Sequence, residues 1–136
     1  MIIKINTQLP DPIYEQLRNQ IVFGIAAKQL VPGEGLPSVR RLAADLGINL
    51  HTVNKAYALL NDEGYIVMDR RKGALVAQLI PNDTGFVTNL SRRLHLAAAE
   101  AKCRKVNEKE FITLCRDCYQ NIEKGQDSRN EEGGKK

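Results

Sequence analysis

The sequence predicts a mainly α-helical fold with one small β-hairpin, arranged as a compact N-terminal domain followed by a short helical segment. Three observations predict it. Apolar residues recur at helical spacing in three stretches before residue 63, and the last two stretches are joined only by Gly47-Ile48-Asn49. Two strand-like runs then flank Arg70-Arg71-Lys72-Gly73, and beyond Pro81-Asn82-Asp83 two further amphipathic helical patterns follow. These breaks divide the chain into residues 1–80 as one domain, 81–124 as a two-helix segment, and 125–136 as a polar tail expected to be disordered.

The first helix is expected to open at Asp11-Pro12, with Asp11 as N-cap and Pro12 at the first helical position. Ile13, Leu17, Ile21 and Ile25 draw an apolar stripe to about Lys28, and Val-Pro-Gly-Glu-Gly at 31–35 ends the run. Ser38 is placed to cap a second helix, in which Val39, Leu42, Ala43 and Leu46 share one face while Arg40 and Arg41 point elsewhere. Gly47 supplies a left-handed stop, Ile48 can plug the core, and Asn49 can cap the third helix. There Val53, Ala56, Tyr57 and Leu60 form the buried stripe, and a step of about 100° per residue puts His51, Asn54, Lys55 and Ala58 on the opposite side. The third helix ends at Asp62-Glu63-Gly64, and Tyr65 to Asp69 and Ala74 to Gln78 read as the two strands of the hairpin.

Three helices and a basic-tipped hairpin describe a winged helix-turn-helix, and the tight turn at Gly47 has a physical use. A DNA major groove about 12 Å wide admits one helix, whose N-terminal residues reach base edges while the preceding helix crosses the backbone. A short turn holds that angle. The helix start at Ser38, with Arg40 and Arg41 beside it, suits a phosphate. Arg70, Arg71 and Lys72 would hold the neighbouring backbone or enter the minor groove, with Gly73 allowing close approach. Bland rivals stand beside each reading: a solvated surface histidine at His51, an ordinary solvated hairpin tip at Arg70 to Lys72, a mere packing motif for the helix pair.

Composition sets the outer limits. A net charge of +4 permits a nucleic-acid partner without proving one, and residues 1–80 hold nine Lys+Arg against seven Asp+Glu while 81–136 hold eleven against nine. Neither part is a basic tail. No apolar run approaches the roughly 20 residues that span a bilayer, and residues 1–9 lack the pattern of a secretory signal, so no membrane partner and a cytoplasmic location are expected. Cys103, Cys115 and Cys118 make an odd count that favours reduced thiols over a disulfide framework. No phosphate loop or metal-binding His pair occurs, and His51 and His95 lack an evident nucleophile, which argues against an enzyme and against any cofactor.

L-P-S-V-R-R-L-A-A-D-L-G-I-N at 36–49, followed by T-V-N-K-A-Y-A-L-L-N-D-E-G-Y-I at 52–66, resembles the signature of GntR-type bacterial transcription regulators over roughly residues 10 to 78. The resemblance implies that Arg40 binds phosphate, that Asn49, Leu50, His51, Thr52 and Asn54 make the recognition-helix contacts, and that Lys72-Gly73 is the wing tip. Many members carry Arg where this chain has Leu50, so a favourable guanine reader is absent and base preference does not transfer. Asn49, Thr52, Val53, Ala56 and Tyr57 together resemble the small YtrA-like branch, which implies control of nearby transporter operons.

After the break at 81–83, Val87, Leu90, Leu94, Ala97, Ala98 and Ala101 recur at near-heptad spacing. Asn107 and Glu110 stand in capping-box spacing, and Phe111, Leu114, Cys115, Cys118 and Ile122 share a stripe. About fifty residues hardly enclose a drug-sized pocket of roughly 300 Å³ or more, so dimerisation through Leu90, Leu94, Ala97, Phe111, Leu114, Cys115 and Cys118 is the economical use of these faces. The function expected is a homodimeric repressor binding double-stranded DNA at a palindromic operator, with its small-molecule effector undetermined. The alternative is a redox or metal sensor on the same frame using Cys115-x-x-Cys118, although zinc needs four ligands and no second pair stands nearby.

Overall fold

The computed structural model describes residues 3–125, so the expected disordered tail lies, apart from Gly125, outside the described residues. The order is α1 (Ile13–Ala26), α2 (Val39–Leu46), α3 (Leu50–Asp62), β1 (Ile66–Asp69), β2 (Gly73–Val76), α4 (Thr84–Cys103) and α5 (Glu108–Glu123). It divides into two compact units at Ile80/Pro81.

In the first unit α3 is the central element. Its stripe of Val53, Ala56, Tyr57 and Leu60 is fully buried, facing Leu17 and Ile21 of α1 and Leu42 and Ala43 of α2 in one core. Ser38 caps α2 by accepting from the Arg41 N–H at 3.1 Å, and Asn49 caps α3 by accepting from the His51 N–H at 2.8 Å. Gly47 sits at φ 65°, ψ 35°, the left-handed region where a side chain is strained, and Ile48 packs against the core. These features follow the sequence pattern closely.

The start of α1 differs from expectation. Pro12, not Asp11, is the N-cap, and its carbonyl accepts from the Glu15 and Gln16 N–H groups. At ψ 149° Pro12 is extended, so the helix begins one residue later, and no side chain caps it. The helix also ends at Ala26 rather than near Lys28, because Lys28 turns left-handed at φ 62° and the Gln29 and Leu30 N–H groups return to the Gly24 carbonyl. That reversal drops Leu30 into the core.

Two glutamines do unexpected work. Buried Gln16 accepts from the Asn6 N–H at 2.9 Å and donates to the carbonyls of Asn6 and Asp11, while Gln20 accepts from the Lys4 N–H at 2.8 Å and donates to the Lys4 carbonyl. Four helical residues advance about 6 Å and two extended residues about 6.6 Å, so the amides of one helix face match alternate residues of a strap laid along it. Ile3 on that strap packs against the core.

The hairpin is antiparallel, with Ile66 opposite Val76 and Asp69 opposite Gly73. A third edge braces it: Gly33 N–H donates to the Val76 carbonyl, Val76 N–H to the Glu34 carbonyl, and Leu36 N–H to the Ala74 carbonyl, all at 2.8–2.9 Å. Gly33 and Glu34, within a stretch expected only to end a helix, therefore anchor the wing together with Leu36.

Arg18 of α1 holds Glu63, at the end of α3, by two parallel bonds of 2.9 Å, and its guanidinium lies 5.4 Å from the Tyr65 ring centre. The pair is part-exposed, with side chains 23% and 36% accessible, which discounts its worth. Arg18→Ala is expected to cost about 1 kcal/mol of unfolding free energy. Urea titration checks this, and a loss below measurement error would mean that the clamp is as slack as an ordinary surface pair.

In the second unit Asp83 caps α4 through the Phe86 N–H and Asn107 caps α5 through the Glu110 N–H, both at 2.8 Å. Lys105 turns the chain at φ 63°. No residue of α4 or α5 is buried.

Candidate nucleic-acid interface

The inner face of α3 fixes the frame on which the outer face is displayed. The Tyr57 hydroxyl donates to the Pro37 carbonyl at 2.7 Å, so a core residue of α3 pins the chain one residue before the α2 N-cap. Burial pushes the Tyr57 phenol up to about 12. The angle between α2 and α3 is thus held at the Gly47 turn and again at Pro37.

On the opposite side of α3, His51, Asn54 and Lys55 are exposed, Leu50 is 39% exposed, and Thr52 is half-buried. Asn49 is exposed, but its side-chain oxygen is committed to the His51 N–H, which leaves its amide hydrogens as the group to offer a partner. The Lys55 ammonium lies over the Tyr14 ring, 4.0 Å from its centre, so α1 holds this cation in place. Ser38 likewise spends its hydroxyl on the cap. Arg40 and Arg41 are exposed on α2, with Arg41 3.8 Å from Asp45 one turn along.

The hairpin tip is exposed from Asp69 through Gly73, so Arg70, Arg71, Lys72 and Gly73 all face solvent. Its backbone is held by Asp69, whose Oδ1 accepts from the Arg71 N–H at 2.8 Å and the Lys72 N–H at 2.9 Å. Those two bonds, the Lys72 one first, draw the carboxyl below its usual range. Asp69 and Tyr14 were not singled out from sequence. An Asp opening a turn that ends in Gly is a readable turn signal, whereas nothing local announces that Tyr14 meets Lys55.

The exposed groups of α2, α3 and the tip thus include short amides, an imidazole and six cations, with Asp45, Asp62 and Asp69 as the acids among them. Such a surface has the donors for phosphate and base edges. Among the described residues no group of three or more His, Cys, Asp and Glu gathers to hold a metal ion, and no helix is long and apolar enough to cross a membrane. In the second unit Leu90, Leu94, Leu114, Cys115 and Cys118 are exposed, while Ala97 and Phe111 are half-buried.

The family profile described as "Bacterial regulatory proteins, gntR family" matches residues 11–76. The HTH-type transcriptional regulator Rv1152 of Mycobacterium tuberculosis is 30% identical over 97 residues, covering 71% of this chain and 80% of the relative. YtrA from Sulfolobus acidocaldarius, solved as a GntR-family transcription factor, is 40% identical with a TM-score of 0.58, over 71% of this chain and 99% of that one. A transcriptional antiterminator from Listeria monocytogenes EGD-e superposes with a TM-score of 0.86 at 27% identity, over 93% of this chain and 96% of that one. Two Bacillus subtilis regulators are matched over 59% of their own length.

Proposed function

The chain belongs to the gntR family of bacterial regulatory proteins, in its YtrA-like branch, and is a DNA-binding transcription regulator; on that premise we propose that it works as a homodimeric repressor reading a palindromic operator. The observation that carries the DNA-reading part is the outer face of α3, where His51 and Asn54 stand exposed opposite a fully buried stripe. Asn54 has the paired donor and acceptor that fit adenine in the major groove. Arg40 and the tip cations Arg70, Arg71 and Lys72 grip phosphate on either side of it. Two copies joined through α4 and α5 would set two such helices about one DNA turn apart, and occupancy of a promoter would block transcription. Work on chromosomal DNA places the protein in the bacterial cytoplasm, and a neighbouring transporter operon is the target that the branch implies.

The test is selection of bound DNA from a random pool, followed by titration of the winner at two salt concentrations. Enrichment of a palindrome with half-sites about one helical turn apart is the expected outcome; no enrichment, or a single asymmetric site, would sink the dimeric reader. Arg40→Ala should weaken binding about three- to ten-fold on every sequence and flatten the salt slope by about 1. Asn54→Ala, by contrast, should cost about 1–3 kcal/mol of discrimination at one base position. Equal losses across all base substitutions for the Asn54 variant would refute that division of labour.

A thiol-sensing version has one observation in its favour: Cys103, Cys115 and Cys118 are all exposed and free. Alkylation that leaves DNA affinity unchanged would remove it.

A further inference from the structure

The hairpin tip carries three consecutive cations in a connection only three residues long, between Asp69 and Gly73, which are cross-strand partners. Adjacent like charges repel, and long side chains on a slack loop must be ordered when they bind, which costs affinity. This tip is not slack. One carboxylate oxygen holds the N–H groups of both Arg71 and Lys72, and Gly73 closes the turn at φ 77°, a left-handed conformation with open space around it.

The carboxylate has an evident drawback. It is an exposed negative charge at the surface proposed to meet phosphate, where bare electrostatics would favour almost any other residue. Its benefit must lie in what it accepts. We propose that Asp69 is a positioning residue for DNA binding: by accepting from the Arg71 and Lys72 N–H groups it sets the backbone from which the tip cations reach the DNA. The proposal rests on the reading of the tip as a DNA contact.

Electrostatics and positioning predict opposite signs for one substitution. Asp69→Ala removes a negative charge, so a purely electrostatic role predicts tighter binding; a positioning role predicts weaker binding. Asp69→Asn removes the charge and keeps an oxygen acceptor at the same place. The probe is a mixed-sequence DNA duplex of about three helical turns at low salt, because phosphate contacts need no operator. The expected result is Asp69→Ala about three- to ten-fold weaker than the parent and Asp69→Asn within about two-fold of it or tighter.

Two further measurements separate failure of this proposal from failure of the underlying reading. In the free protein, exchange of the Arg71 and Lys72 amide hydrogens should be slow in the parent and in Asp69→Asn, and fast in Asp69→Ala. The combined Arg70→Ala, Arg71→Ala, Lys72→Ala variant should bind the duplex markedly less well and with a flatter salt slope. If that variant loses affinity while Asp69→Ala binds as well as the parent or better, positioning by Asp69 is overturned and the tip remains a DNA contact. If the combined variant binds like the parent, the tip reading falls and takes the proposal with it. Unchanged amide exchange in Asp69→Ala would overturn the bond as the cause.

Discussion

Replacing Tyr57 with Ala should remove about 3–5 kcal/mol of stability, a large part of the roughly 5–15 kcal/mol that a domain of this size holds in total. The side chain is 1% exposed, the largest of the fully buried ones, and sits where α3 meets both other helices of the first unit. Truncation would leave a cavity and also free the Pro37 carbonyl that the hydroxyl pins at 2.7 Å. Tyr57→Phe separates the two effects: the ring stays and the bond goes, at about 1 kcal/mol. Urea titration should therefore rank parent above Phe and Phe well above Ala.

The phenol adds a pH signature. Burial raises its pKa from 10.0 to about 12, so the folded state favours the protonated form more than the unfolded chain does. Its contribution is fully present below about pH 10 and is lost as pH rises toward 12. Stability compared at pH 9 and pH 11 should drop in the parent and drop less in Tyr57→Phe. An equal drop in both would assign the alkaline loss to other groups.

The frame of the first unit was legible because its determinants are local. The Val53, Ala56, Tyr57, Leu60 stripe needs only helical periodicity, Gly47 announces a left-handed residue, and Ser38 and Asn49 sit one residue ahead of the helices they cap. The orientation of His51, Asn54 and Lys55 followed from the same phase. What escaped was contact across long sequence separation. Gln16 and Gln20 look like solvated helix residues until a strap lies along them, and Arg18 and Glu63 stand 45 residues apart. Residues 33–36 carried a turn signal, yet their hydrogen bonds are satisfied by β2, some forty residues later. Even Lys55, correctly placed on the outer face, meets a ring from α1 that no local pattern assigns.

The largest effect on function is expected from the second unit, far in sequence from the DNA-reading residues. Helices of 20 and 16 residues without a single fully buried side chain lack the tertiary packing that supplies most helical stability in proteins. On α4, Val87, Leu90, Leu94 and Ala101 fall within an arc of about 60°, with Leu94 46% exposed, and on α5 Leu114 is 57% exposed. A second copy of the chain would cover these stripes and join two DNA-reading units. Joining them makes the second half-site contact intramolecular, at an effective concentration near millimolar, so breaking the joint should cost about 10²–10⁴ in affinity for a palindrome. Leu90→Lys with Leu94→Lys is the variant to use, because both residues are already exposed in the protomer and the added positive charge can only favour DNA electrostatically. Sedimentation should then report half the parent's mass, with weak half-site binding retained and palindrome affinity lost. A variant that keeps both its mass and its palindrome affinity would show that the apolar stripe of α4 does not join the two copies.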